Sequence, residues 1–105
     1  MTFRVVVGPE ASADLQRLYQ YLLDRAEYVE DLELAERALQ AIEEAMKALA
    51  KVPFLFRKET ESRSPLRREL VVPFGTSGYV LKYEIASPTL GVVLAVRHQH
   101  EGDYR

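Results

Sequence analysis

His98 and His100 stand two residues apart near the end of the chain, with Glu101 beside the second, and in an extended strand both imidazoles share a face. Imidazole and carboxylate are metal ligands, but this spacing matches no zinc pattern and the chain has no cysteine to complete one. No metal or other cofactor is therefore expected. Acid–base chemistry is the stronger use of His98, because imidazole exchanges protons near neutrality, and Arg67, Arg68, Lys82 and Arg97 supply the cations that would stabilise a phosphate. That constellation suits RNA cleavage. The competing reading makes His98 a strand cap and the cations a solvated face. Tyr79, Tyr83 and Tyr104 lie near these basic segments, where aromatic rings can stack bases, although alternating positions such as Tyr79 and Tyr83 are more often core. No serine sits in a nucleophile elbow, and Gly75-Thr-Ser-Gly78 is too short and wrongly placed for a nucleotide-phosphate loop.

These residues need elements to hold them. Thr2 to Val7 is rich in β-branched residues and ends at Gly8-Pro9, which predicts a first strand. Pro9 suits the first turn of a helix, and Ala11, Leu15, Leu18, Leu22 and Ala26 recur at steps of three and four, predicting a helix to about Arg25. A second helix carries Ala35, Ala38, Ile42, Ala45 and Leu49 on its stripe, acids Glu30, Asp31 and Glu33 at its start, and Lys47 and Lys51 before Pro53 stops it. The short connection from Ala26 to Glu30 forces an antiparallel helical hairpin. Residues 54–65 read as a polar, irregular link. Three extended segments follow: Leu66 to Pro73, Tyr79 to Ala86, and Val92 to His98, where strict alternation puts Val92, Leu94, Val96 and His98 on one face. His100 to Arg105 reads as an exposed tail. The order β-α-α-β-β-β predicts an α+β fold in which the hairpin packs on one face of a small, mainly antiparallel sheet. The uncovered face and the tail are then the places for function.

At 105 residues, with 48% hydrophobic and 29% charged side chains, the chain is expected to form one domain over residues 1–105. No apolar run is long enough to span a bilayer and no basic leader precedes an apolar stretch, so a cytoplasmic protein without membrane contact is expected. The absence of cysteine excludes disulfides, thiolate metal sites and cysteine nucleophiles. Net charge is −2, unlike that of a general nucleic-acid binder. Yet residues 1–52 hold six basic and ten acidic side chains, whereas residues 53–105 hold eight basic and six acidic ones. A positive face in the second half would explain this; so would an acidic helix amino terminus.

The element order, with Leu66-Arg-Arg-Glu-Leu-Val-Val-Pro73, Gly75-Thr-Ser-Gly-Tyr-Val-Leu-Lys-Tyr83 and Leu94-Ala-Val-Arg-His-Gln-His-Glu101, resembles the RelE/ParE superfamily of toxins from bacterial toxin–antitoxin systems, and the ParE branch most. The resemblance covers essentially the whole chain. It implies a cognate antitoxin, ParD-like or similar, whose carboxyl-terminal segment wraps the toxin, and contact with operator DNA only through that antitoxin. RelE-type members are ribosome-dependent messenger RNA endoribonucleases, whereas ParE-type members are regarded as inhibitors of DNA gyrase. In the ribonuclease branch an arginine precedes the Ser-Gly-Tyr-like turn and another follows its tyrosine; Gly75 and Val80 stand at those positions here. The resemblance thus favours a noncatalytic inhibitor whose target surface comprises Arg67, Arg68, Lys82, Arg97 and His98. A ribonuclease would instead need Arg68 and Arg97 on the phosphate and His98 or Tyr104 in proton transfer.

Overall fold

A computed structural model describes residues 3–59, 64–75 and 77–98. Strand β1 (Arg4–Val7) leads into helix α1 (Pro9–Asp24), whose first turn absorbs Pro9 without loss of a hydrogen bond. A four-residue connection returns the chain into α2 (Val29–Lys51). The Asp31 carboxylate accepts the Glu27 and Tyr28 N–H groups at 2.9 and 3.1 Å, tying the connection to the first turn of α2. Strands β2 (Arg57–Lys58), β3 (Arg67–Phe74), β4 (Ser77–Ser87) and β5 (Leu90–His98) follow. The sheet runs β1-β5-β4-β3-β2, antiparallel except where β1 lies parallel to β5. The expected α+β architecture, two helices over one sheet, is the observed one.

Small residues let the layers approach. Ala11, Ala35 and Ala38 are fully buried beside Ile42 and Leu49, and this stripe meets Leu81, Tyr83, Ile85 and Val93 on the sheet. The alternation expected for Tyr79, Leu81, Tyr83 and Ile85 is thus real, and both tyrosines belong to the core. The α2 helix carries its buried residues at the three-and-four spacing read from its sequence, while its acids remain outside.

Two expectations need correction. Residues 54–65 are not wholly irregular: Arg57 and Lys58 pair with Glu69 and Arg68, adding a fifth strand at the edge. A two-residue strand carries no periodicity of its own, so nothing in the sequence marked it. Strict alternation also fails in β5. Lys82 pairs with Ala95 and Tyr83 with Val93, leaving Leu94 as an extra residue in a β-bulge. Val93 and Val96, three apart, consequently both join the helix-covered core, and His98 lies across from buried Tyr79.

Candidate functional site

The bulge at Leu94 turns the end of β5 toward α1. Asp14, Arg17 and Tyr21 follow one another along α1 at steps of three and four, and face Val96, Arg97 and His98 across a groove of about 660 Å³. Its floor is apolar, built from Leu18, Leu22, Tyr79 and Val96. Asp14, only 7% exposed, sits at the inner wall, where its Oδ2 accepts the Val96 N–H at 2.9 Å. Arg17 Nη2 donates to Asp14 Oδ1, and Arg97 Nε lies 3.9 Å from Oδ2. One buried carboxylate therefore gathers two guanidinium groups at the rim. The His98 ring meets Tyr79 edge-on, centroids 5.7 Å apart, and burial pushes the Tyr79 phenol above its ordinary range. At the far end the Arg25 guanidinium lies 4.6 Å over the Tyr21 ring.

The face of the sheet away from the helices carries charge of both signs. Arg67 pairs with Glu84 at 3.1 Å, Arg57 with Glu69 at 3.1 Å, and Lys82 with Glu59 at 3.3 Å. Each of these three cations thus has its own carboxylate, and together the pairs form a balanced ion-pair ladder. Val80, across from Val71 and Arg97, presents an apolar side chain among them.

Arg68 occupies a third place. Its register partner is Tyr83, on the helix-covered side. Its Nε donates to Pro65 O at 2.9 Å, and its Nη1 donates to Phe54 O at 3.2 Å and Phe56 O at 3.0 Å. Beside it the Tyr83 hydroxyl donates to Pro53 O at 2.6 Å. Burial pushes the Tyr83 phenol up to about 12, partly offset by the neighbouring Arg68 charge. The bonds to Pro53, Phe54 and Phe56 satisfy carbonyls of the segment joining α2 to β2, and the bond to Pro65 reaches the stretch before β3.

The five residues expected on one target surface therefore separate. Arg97 and His98 meet at the groove, Arg67 and Lys82 lie in the ladder, and Arg68 clamps the connecting segment. Alternation along β3 places neighbours Arg67 and Arg68 on opposite faces. Tyr104, His100 and Glu101 lie outside the described residues. Sequence reasoning overlooked Asp14 and Arg17. Asp14 stands three after Ala11 and four before Leu18, inside the apolar stripe of α1, and a carboxylate in such a stripe was the available signal.

Two helices on a mixed five-stranded sheet, with an apolar groove rimmed by cations and no helix long and apolar enough to cross a membrane among the described residues, define a small α+β domain built around exposed surfaces. The family model described as the ParE toxin of the type II toxin–antitoxin system, parDE, matches residues 5–102. The chain therefore belongs to this toxin family, within the RelE/ParE superfamily. It is 36% identical over 97 residues to Toxin RelE3 of Caulobacter vibrioides, covering 92% of this chain and 95% of the relative. Toxin RelE1 of the same organism is 34% identical over 92 residues, with 88% and 89% covered. A solved chain of the chromosomal ParDE system from P. aeruginosa superposes with a TM-score of 0.69 at 20% identity, covering 91% of this chain and 95% of that one, and shares the fold.

Proposed function

We propose that this toxin acts by binding DNA gyrase and that a cognate antitoxin neutralises it. The observation that carries this reading is the balanced ladder on the open sheet face. A ribonuclease must stabilise a phosphorane-like dianion, which calls for surplus positive charge pointed at one place. Glu59, Glu69 and Glu84 instead neutralise Lys82, Arg57 and Arg67, and Val80 occupies the position where the ribonuclease branch carries an arginine. A phosphate placed on this face would meet three carboxylates. Binding of a protein target makes no such demand, and the apolar floor of the α1–β5 groove, rimmed by Arg17, Arg97 and His98, offers a surface for it.

Purified toxin, titrated into gyrase supercoiling and DNA-cleavage assays with and without the protein of the adjoining reading frame, tests this. Inhibition relieved by that protein is the expected result. Supercoiling unaffected over a wide concentration range, with toxin-dependent cuts in translated messages by primer extension, would replace the reading with ribosome-dependent endoribonuclease. His98 and Arg97 at the groove mouth would then be the first residues to test.

A further inference from the structure

We propose that the turn joining α2 to β2 is a preformed docking knob on which an acidic segment of the cognate antitoxin closes. The inference rests on the toxin–antitoxin reading and not on gyrase as target.

Between Val52 and Phe56 the chain turns tightly, with the Leu55 N–H bonded to Val52 O at 3.0 Å. Phe56 packs inward against the core, whereas Phe54 and Leu55 point outward, 57% and 73% exposed. Val52 and Leu66, each 42% exposed, flank them; the Arg68 guanidinium brings the two stretches together by binding the carbonyls of Phe54, Phe56 and Pro65 at once. Its carbon also lies 5.5 Å from the centre of the Phe54 ring. With the Tyr83 bond to Pro53 O added, three side-chain hydrogen bonds hold this short segment, and a fourth ties Arg68 to Pro65 of the neighbouring stretch. A turn fixed in this way avoids the ordering cost of binding.

The surroundings specify the partner. Lys51 and Lys58, both exposed, frame the apolar tip. The carboxylates nearest in the ladder, Glu59 and Glu69, are drawn away toward Lys82 and Arg57 on the sheet face. An aliphatic side chain flanked by Asp or Glu complements this arrangement, the apolar group sinking between Leu55 and Leu66 while the carboxylates meet the cations. Contiguous exposed apolar side chains on so small a domain favour self-association unless covered. A partner that stays bound for most of the protein's lifetime covers them better than a target met only when the toxin is free. The antitoxin is that partner.

The test is titration calorimetry of the purified chain with the full-length protein of the adjoining reading frame. Leu55→Asp, on a side chain open enough to leave the fold intact by circular dichroism, is expected to raise Kd about 10- to 100-fold, as loss of an interface anchor does. Lys58→Glu should raise Kd less and flatten its salt dependence. Arg68→Gln, which frees the turn without altering its outward residues, should weaken binding mainly through a less favourable entropy. Binding by both Leu55→Asp and Lys58→Glu within about twofold of the unsubstituted protein overturns the proposal, since anchors and flanking charges alter affinity by more than that. Loss of gyrase inhibition in Leu55→Asp with antitoxin affinity unchanged overturns it in favour of the target as occupant. Leu55-dependent binding to phosphatidylglycerol vesicles, with antitoxin affinity unchanged, overturns it in favour of lipid. An unsubstituted protein that does not bind the antitoxin removes the partner itself, an outcome distinct from a misplaced surface.

Discussion

Asp14 Oδ2 accepts the backbone N–H of Val96 at 2.9 Å, joining residues 82 apart in sequence. Beyond Val93 the β1 strand no longer flanks β5, because their pairing ends at Val7 and Val93. A strand edge there would leave a buried N–H unpaired. The first helix supplies a carboxylate in place of the missing strand, and the same carboxylate holds Arg17 at the groove rim. Asp14→Ala removes both partners and should destabilise the fold by about 1–3 kcal/mol, the cost of an unsatisfied buried donor. Asp14→Asn, which keeps an oxygen for Val96 but loses the charge, should cost less. Urea midpoints would rank the two, and amide exchange at Val96 should accelerate in the alanine variant beyond the global change.

The buried Tyr83 phenol makes stability depend on alkaline pH. Its ordinary value of 10.0 rises to about 12 in the fold, chiefly by desolvation. A raised acid stays neutral in the folded chain while the unfolded chain ionises, so its contribution is full below about pH 10 and is lost progressively between about 10 and 12. Thermal midpoints of the unsubstituted protein should fall more steeply across that window than those of Tyr83→Phe. At neutral pH the same substitution should cost about 1 kcal/mol, because Pro53 O loses its donor. Parallel curves for the two proteins between pH 9.5 and 12 would contradict the assignment of the pH dependence to this residue.

How far the sequence revealed this protein depended on whether a feature was periodic. The two helices, the core stripe of β4 and the sheet-on-hairpin architecture repeat at 3.6 or 2.0 residues and were readable in advance. What escaped was aperiodic. The Leu94 bulge resets the faces of β5, and no residue type at that position announces it. The two-residue β2 owes its place to Glu69 and Arg68 across from it. The groove depends on the bulge and on tertiary distance: Arg97 and His98 were visible as candidate chemistry, but only the bulge and the approach of α1 bring them to Arg17 and Asp14. Charge was the least readable property, since a count of basic residues in the second half of the chain cannot show that Arg57, Arg67 and Lys82 each face a carboxylate.

Those ion pairs share chemistry and differ in burial, which separates their energetics. Arg67 and Glu84 are 42% and 39% exposed, so Arg67→Ala should change stability by about 0.5 kcal/mol or less, a value that salt reduces further. The Glu69 side chain is only 9% exposed beneath Arg57. Arg57→Ala leaves that carboxylate without this partner and should cost about 1–3 kcal/mol. Urea denaturation of both variants at low and high salt would compare them. Equal losses would show that burial does not control this ladder.

Two glycines bear different constraints. Gly75 has φ +62°, and among the described residues no atom would lie within 4 Å of a Cβ there, so Gly75→Ala should cost about 1–2 kcal/mol through backbone strain. At Gly91 a Cβ would lie 2.9 Å from Cε2 and 3.1 Å from Cζ of Phe3, which packs against the core. Gly91→Ala must displace that ring and should cost about 1–3 kcal/mol. Phe3→Leu, by shrinking the obstacle, should recover part of the loss at Gly91 and none at Gly75. Double-mutant cycles of urea midpoints decide this, and a coupling to Phe3 at Gly75 would show that the two constraints had been confused.

The groove gives the proposed activity its sharpest test, because its rim and floor can be changed separately. Arg17 is 70% exposed in its side chain and His98 partly exposed, so Arg17→Gln combined with His98→Gln alters the rim while the packed floor of Leu18, Leu22, Tyr79 and Val96 remains. If target binding runs through the groove, this pair should lower gyrase inhibition about tenfold or more, the loss expected from two contact residues worth roughly 1 kcal/mol each. Binding to the antitoxin should change little, since the turn at Leu55 is untouched. Tyr21→Ala, which removes an exposed ring at the other end and its contact with Arg25, should give an intermediate loss. Thermal midpoints shifted by no more than a few degrees would establish that the variants remain folded. Full inhibition by the doubly substituted rim would move the target surface away from the groove, to the ion-pair ladder, where Lys82→Glu would be the next substitution to measure.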